Sequence, residues 1–286
     1  MKIFLTGGSG YIGKATISAL VRHGHTVEAL ARNDRAAETV ASLGATPVRG
    51  GLGDLGVLNA AAAHAEAVVH LAQAETGDED LAAATAMQDG IGTGTYVHTG
   101  GTWVYGDTDG VVDETAPWDP PSLVAWRKHV EDAVLRRAQE GGRPVVVQPG
   151  LLYGGENRLI DIFYTVPGKE SGVIPYIGDG ANRWALVHID DLAELYVAAL
   201  RSKPGSVYVG VGGVNPTAKE CSLAVARSVG LDGKVVSITL EQAREQMGPI
   251  AEALALDQQF TPARARAELG WTPAHTDPLA VLAGDE

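Results

Sequence analysis

The sequence predicts an α/β protein, a doubly wound parallel sheet with a smaller C-terminal substrate lobe. Three observations carry this. Short apolar strands alternate with helical segments over the first 150 residues, which is the pattern of parallel βαβ units. A glycine-rich turn joins the first strand to the first helix. Beyond Gly150 the alternation loosens into segments rich in Gly, Pro and aromatic residues, with no long periodic stretch up to Asn182.

Taken in order, Lys2–Thr6 reads as a short buried strand, and Tyr11–Arg22 as a helix ending near Gly24. Thr26–Leu30 is the second strand, and Asp34–Leu43 a helix closed by Gly44. Thr46–Arg49, Ala67–Leu71, Thr95–Thr99 and Pro144–Gln148 read as further strands. Leu55–His64, Asp80–Gln88 and a long Ser122–Gln139 segment read as helices, the last with Ser122 as N-cap after Pro120-Pro121. Downstream, Asp190–Leu200 is helical and Val207–Val211 a strand. Ala218–Val229 and Leu240–Met247 are helical, the second stopped by Gly248-Pro249.

The 286 residues, 45% of them hydrophobic, lie near the upper limit for one core. A net charge of −13 repels phosphate backbones and anionic lipid, so neither nucleic acid nor a membrane is an expected partner. No window reaches the roughly 18 apolar residues of a membrane span. Only Ile3 to Thr6 separate Met1-Lys2 from the first glycines, which leaves no room for a signal peptide. Cys221 is the single cysteine, so no internal disulfide can form, and a reducing, cytoplasmic setting is expected. The eight histidines are scattered and no CxxC or HExxH occurs, so no metal is expected.

The strongest motif is Thr6-Gly7-Gly8-Ser9-Gly10-Tyr11-Ile12-Gly13. Glycines 7, 10 and 13 give GxxGxxG, and 8, 10 and 13 give GxGxxG. The turn follows a strand and opens a helix, as a Rossmann-type dinucleotide site requires. Small residues let the backbone approach a pyrophosphate, and the helix N-terminus offers free N–H groups and partial positive charge. The expected division is therefore a 1–150 NAD(P)-binding domain and a 151–286 substrate lobe, with elements near 183–212 returning to the first sheet. After the second strand, where NAD binders usually place an acid for the ribose, the chain reads Leu30-Ala31-Arg32-Asn33-Asp34-Arg35. Arg32 and Arg35 can clamp a 2′-phosphate, which favours NADP over NAD, although Asp34 remains an alternative ribose ligand.

Over nearly its full length the chain resembles the extended short-chain dehydrogenase/reductase family, the epimerase/dehydratase-like branch. The resemblance rests on the glycine turn, Gly53-Asp54-Leu55, His70-Leu71-Ala72-Gln73 and Thr99-Gly100-Gly101 with Val104-Tyr105-Gly106. It continues through Pro149-Gly150-Leu151-Leu152-Tyr153-Gly154, Val187-His188-Ile189-Asp190-Asp191-Leu192-Ala193 and Leu269-Gly270-Trp271-Thr272-Pro273. It implies that Asp54 and Leu55 meet the adenine and that Leu71, Ala72 and Gln73 pack on the dinucleotide. It also implies that Pro149, Leu151 and Leu152 pass the nicotinamide and that Thr99 stands at the reacting carbonyl. Gly178 to Trp184 would border the substrate, although Gly-Asp-Gly also fits a hairpin turn.

One departure bears on catalysis. The resembled family uses a tyrosine four residues before a lysine, both on one helix face, to move a proton. Here Ser122 to Glu131 reads SLVAWRKHVE, and no tyrosine lies between Tyr105 and Tyr153. With Lys128 at the lysine position, Val124 replaces the tyrosine. With Glu131 matching the glutamate that often follows, Arg127 takes the lysine position and Leu123 the tyrosine's; this register is favoured. An arginine can bridge ribose hydroxyls but is a poor proton donor. His129, Tyr105 and Tyr153 are the remaining proton-carrying candidates nearby, each with a ready structural explanation, and Asp190-Asp191 reads as a helix cap.

The leading expectation is an NADP-dependent oxidoreductase acting on a small-molecule carbonyl or hydroxyl, with Thr99 and Arg127 or Lys128 at the reaction centre. The alternatives are a non-redox or transient-redox epimerase, dehydratase or cyclase, and a dinucleotide-sensing protein without turnover. A homodimer stays open, because the resembled family often pairs through the helix at Ser122–Gln139.

Overall fold

The computed structural model describes residues 1–155 and 158–285. The first half alternates β1 (Lys2–Thr6), α1 (Tyr11–Arg22), β2 (Thr26–Ala31), α2 (Asp34–Ser42), β3 (Thr46–Arg49), α3 (Leu55–Ala63), β4 (Ala67–His70), α4 (Gly77–Ile91) and β5 (Thr95–Thr99). Then come β6 (Val111–Val112), α5 (Arg127–Arg136), β7 (Arg143–Pro149) and β8 (Leu151–Tyr153). The second half holds α6 (Arg158–Ile160), α7 (Val166–Ser171), β9 (Ile174–Ile177), β10 (Leu186–His188), α8 (Ile189–Ala199), β11 (Ser206–Gly210) and α9 (Ala218–Ser228). It ends with β12 (Val235–Ile238), α10 (Leu240–Met247), α11 (Ile250–Leu254), β13 (Gln259–Phe260), α12 (Ala263–Leu269) and α13 (Pro278–Ala283).

The main sheet has seven parallel strands in the order β11-β7-β5-β4-β1-β2-β3. The order reverses direction between β1 and β4, the crevice where doubly wound folds place ligands. Alternation along the strands supplies both faces: Ile3, Leu5, Val145 and Val147 pack with α1 and α8, whereas Phe4 and Val146 pack with α3, α4 and α5. β11 brings Ser206–Gly210 back to this sheet beside β7. A separate apolar cluster, with Tyr164, Ile174, Trp184 and Val225, fills the C-terminal part. Its helices α9 and α10 start on capping boxes, Thr217 with Glu220 and Thr239 with Gln242.

Two expectations change. The Ser122–Gln139 helix is broken: Ser122–Val124 is a 3₁₀ turn, α5 starts at Arg127, and a second 3₁₀ turn covers Arg137–Glu140. Val124 packs with Val104 and Tyr105, whereas Trp126, Val130 and Val134 pack on the sheet, so the segment bends to serve two clusters. The Gly178 turn makes no hairpin, because β9 pairs in parallel with the distant β12. Among the described residues no helix is long and apolar enough to cross a membrane.

Candidate functional site

Each glycine of the turn has its own cause. Gly7 has φ +75°, and a Cβ there would lie 2.7 Å from the Ala72 nitrogen. A Cβ on Gly13 would lie 2.1 Å from the Gly7 carbonyl oxygen, so Gly13 lets α1 press against the turn. Gly10 meets only that same oxygen, at 3.2 Å, and its open side lines the cleft. Gly10 caps α1 without any side-chain bond, and no acid stands in the helix's first turn. The first N–H groups of α1 are thus left for an anion. The Tyr11 hydroxyl donates to the Gly154 carbonyl and ties the turn to the chain after β8.

Two adjoining cavities, of about 710 Å³ and about 390 Å³, share Leu71, Ala72 and Gln73 and form one cleft over the strand ends. Gly7, Gly10, Arg32 and Leu55 line the larger one. Ile12, Thr99, Arg127, Pro149, Leu151 and Leu152 line the smaller one.

At the outer end Arg32 faces the cleft, but Arg35 does not line it. Asn33 caps α2 by accepting from the Ala36 N–H at 2.9 Å, and Asp34 is held by Arg49 at 2.7 Å. Asp54 is exposed and does not line the cleft; its carboxylate accepts from the Gly51 N–H at 2.7 Å.

At the inner end Arg127 donates to Gln73 Oε1 at 2.7 Å and to the Thr99 carbonyl at 3.3 Å. Lys128 leaves the cleft: it pairs with Asp132 at 2.9 Å and lies over the Trp118 ring. Consecutive residues of α5 point about 100° apart, so Arg127 faces the cavity and Lys128 does not. Burial lowers the Arg127 pKa, but a guanidinium stays charged at neutral pH. The wall where a tyrosine would stand is apolar. Leu123 is 37% exposed and lines it, and Val124 beside it is 7% exposed. Thr99 Oγ1 lies 2.9 Å from the hydroxyl of Tyr196, a fully buried residue of α8 whose phenol burial pushes well above its ordinary range. No local pattern links those two residues, which are 97 positions apart.

The alternative proton carriers stand elsewhere. Tyr105 donates to Gln148 Oε1 at 2.6 Å, Tyr153 donates to the His275 carbonyl at 3.1 Å, and neither lines the cleft. His129 is exposed on α5. The cysteine is buried, which pushes its thiol far up and leaves it unreactive. Asp190 and Asp191 do not cap α8. His188 caps it, and Asp191 accepts from the N–H groups of Ala274 and His275 at 2.9 and 3.0 Å. Arg183 donates to the Asn215 carbonyl and Trp184 fills the second core, so neither reaches the cleft. No sequence pattern links a buried group of three separate elements, in which Asp80 lines the cleft and His70 and His98 stand behind it.

Residues 3–210 match the model of the NAD dependent epimerase/dehydratase family. An uncharacterized protein of Schizosaccharomyces pombe is 30% identical over 297 residues, spanning 100% of this chain and 99% of its own. A 4-hydroxy-2-methyl-3-oxo-4-farnesyl-3,4-dihydroquinoline-1-oxide ketoreductase of Stigmatella aurantiaca is 26% identical over 85% of this chain and 78% of its own. The dTDP-glucose 4,6-dehydratase DesIV of Streptomyces venezuelae, solved with NAD and TYD bound, superposes with a TM-score of 0.81. At 23% identity over 99% of this chain and 96% of its own, it shares the fold. With a family model covering most of its length and relatives that match it end to end, this chain is an enzyme of the NAD dependent epimerase/dehydratase family.

Proposed function

We propose that the chain is an NADP-dependent oxidoreductase that reduces a small, apolar carbonyl compound or oxidises the matching alcohol. The observation that carries this is the single cleft running from the glycine turn past Gln73 to Thr99 and Arg127. The open side of Gly10 and the unsatisfied start of α1 fit a pyrophosphate. Arg32 at the outer end, with Asp34 drawn off to Arg49, fits a 2′-phosphate better than a bare ribose.

When bound, the dinucleotide supplies or accepts a hydride at its nicotinamide ring. Arg127 would hold the ribose hydroxyls while its bonds to Gln73 and the Thr99 carbonyl fix its plane. The Thr99 hydroxyl, oriented by Tyr196, would donate a hydrogen bond to the substrate oxygen. Trp103, Leu123, Trp126, Leu159 and Ile250 would exclude water and favour an aliphatic or aromatic carbonyl over a sugar. The ketoreductase relative supports the same direction.

The test mixes the protein with NADPH or NADH and a panel of aldehydes and ketones, and follows the absorbance of the reduced nicotinamide together with the product. Consumption of NADPH in step with alcohol formation is expected. An isomerised or dehydrated product formed without net cofactor oxidation would replace the proposal with transient-redox chemistry.

A further inference from the structure

The apolar wall at Leu123 and Val124 leaves the reaction without its usual proton carrier. Among the described residues lining the inner cavity, Asp80 and Arg127 are the side chains that ionise, and a guanidinium does not give up its proton near neutral pH. Asp80 sits in the first turn of α4, is 3% exposed, and is positioned through its Oδ1, which accepts from the Ala74 N–H at 3.2 Å. Behind it stand two imidazoles in register on neighbouring strands, His70 ending β4 and His98 in β5, which are 1% and 2% exposed. His70 Nδ1 lies 2.6 Å from Thr6 Oγ1, and His98 Nδ1 lies 3.3 Å from the Tyr96 hydroxyl. These contacts turn both Nε2 atoms toward the carboxylate, at 3.8 and 3.9 Å. His70 Nε2 has no hydrogen-bond partner among the described residues. A buried imidazole nitrogen aimed at a carboxylate and bonded to nothing is costly unless it has a use.

Resting on the reductase reading above, we propose that Asp80 is the acid/base of this enzyme, and that His70 and His98 are the positioning residues that share its proton. In the reductive direction Asp80 in its acid form donates to the carbonyl oxygen as hydride from the dinucleotide reaches the carbonyl carbon. The Asp80 O–H bond breaks, the carbonyl π pair forms the new O–H bond, and Asp80 is left as a carboxylate. It regains its proton from solvent that enters the cleft, and the neutral imidazoles hold that proton by accepting from it. The 3.8–3.9 Å gaps exceed a hydrogen bond, so a closure of about 1 Å on substrate binding would complete the contact. Burial holds both imidazoles below their ordinary range, so each arrives neutral with an acceptor to offer. The charged and titratable groups facing Asp80 are His70 from β4, His98 and Tyr96 from β5, and Arg127 and Glu131 from α5.

Asp80→Asn keeps the shape and the oxygen that accepts from Ala74. We expect it to bind NADPH as the parent does and to lose about 10²–10⁴-fold of NADPH-dependent reduction of 4-nitrobenzaldehyde. His70→Gln should lose less. Turnover in Asp80→Asn within a few-fold of the parent overturns the assignment, and so does equal loss of NADPH binding. A second readout needs neither cofactor nor turnover. Histidine side-chain nitrogen NMR on the cofactor-free protein should show two resonances whose pH response changes in Asp80→Asn. If the parent reduces nothing, the reductase reading fails while the NMR still decides the shared proton. Histidine responses indifferent to Asp80, or a stoichiometric metal ion at these residues, would overturn it.

Discussion

Gly10 and Gly13 lie three residues apart in one turn, yet substitution at each should fail in a different way. A Cβ on Gly13 would stand 2.1 Å from the Gly7 oxygen, where ordinary contact needs 3.4 Å or more, so that carbonyl must retreat by about 1.3 Å. The same carbonyl accepts the Gly10 N–H at 3.0 Å, so the retreat breaks the turn's own hydrogen bond. Overpacking of about 1–3 kcal/mol plus a bond worth about 1 kcal/mol sets the cost of Gly13→Ala at about 2–4 kcal/mol. That is a fall in Tm of about 3–7 °C for a chain of this size. Gly10 has φ −80° and its Cβ would press only slightly on the Gly7 oxygen, at 3.2 Å, so Gly10→Val should cost about 1 kcal/mol in stability, chiefly as a poorer N-cap. Its methyl groups would stand in the cleft where the backbone must approach a pyrophosphate. Losing two charge-assisted contacts, at about 1.5–3 kcal/mol each, weakens dinucleotide binding by about 10²–10⁴-fold. Thermal melts beside fluorescence titrations with NADPH separate the two effects. A folded Gly10→Val that binds NADPH normally, or a Gly10→Val that melts like Gly13→Ala, would refute the reasoning.

Two further outcomes follow from the inner cleft. Burial pushes Glu131 up to about 7, with Gln148 and Arg127 offsetting this only in part. Because the folded value is the raised one, the acid form stabilises the fold below the unfolded pKa, and this is lost as pH rises through about 7. The loss is about 3 kcal/mol, so melting temperature should fall from pH 5 to pH 8, and Glu131→Gln should flatten that decline; an unchanged pH dependence in the variant would contradict it. Leu123→Tyr, at the more open of the two wall positions, should raise carbonyl turnover about tenfold or more. Val124→Tyr should instead destabilise the protein by overpacking its cluster, and steady-state rates with melts on both variants check the contrast.

What the sequence made legible was local. The glycine turn and the strands through Thr99 rest on residues within a few positions of one another. What it hid was long-range. The break after Val124 comes from two apolar clusters that compete for one segment. Tyr196 reaches Thr99 across 97 residues, and Asp80 meets His70 and His98 only because β4 and β5 are neighbours beneath α4. Asp80 itself looked like one more acid at a helix start, since Asp78 and Glu79 precede it in the same turn and the Thr76 capping box uses Glu79. Asp34 is open as a ribose ligand in the sequence, and its ion pair with Arg49 of β3 forms only in the folded chain.

The most direct test is calorimetric titration of the protein with NADPH and with NADH, repeated on Arg32→Ala. A guanidinium on a 2′-phosphate is worth about 1–3 kcal/mol, so NADPH should bind the parent roughly ten- to a hundredfold more tightly than NADH. The Arg32→Ala variant should lose most of that preference through weaker NADPH binding alone. Equal affinities in the parent, a preference for NADH, or a preference that survives Arg32→Ala would contradict the account.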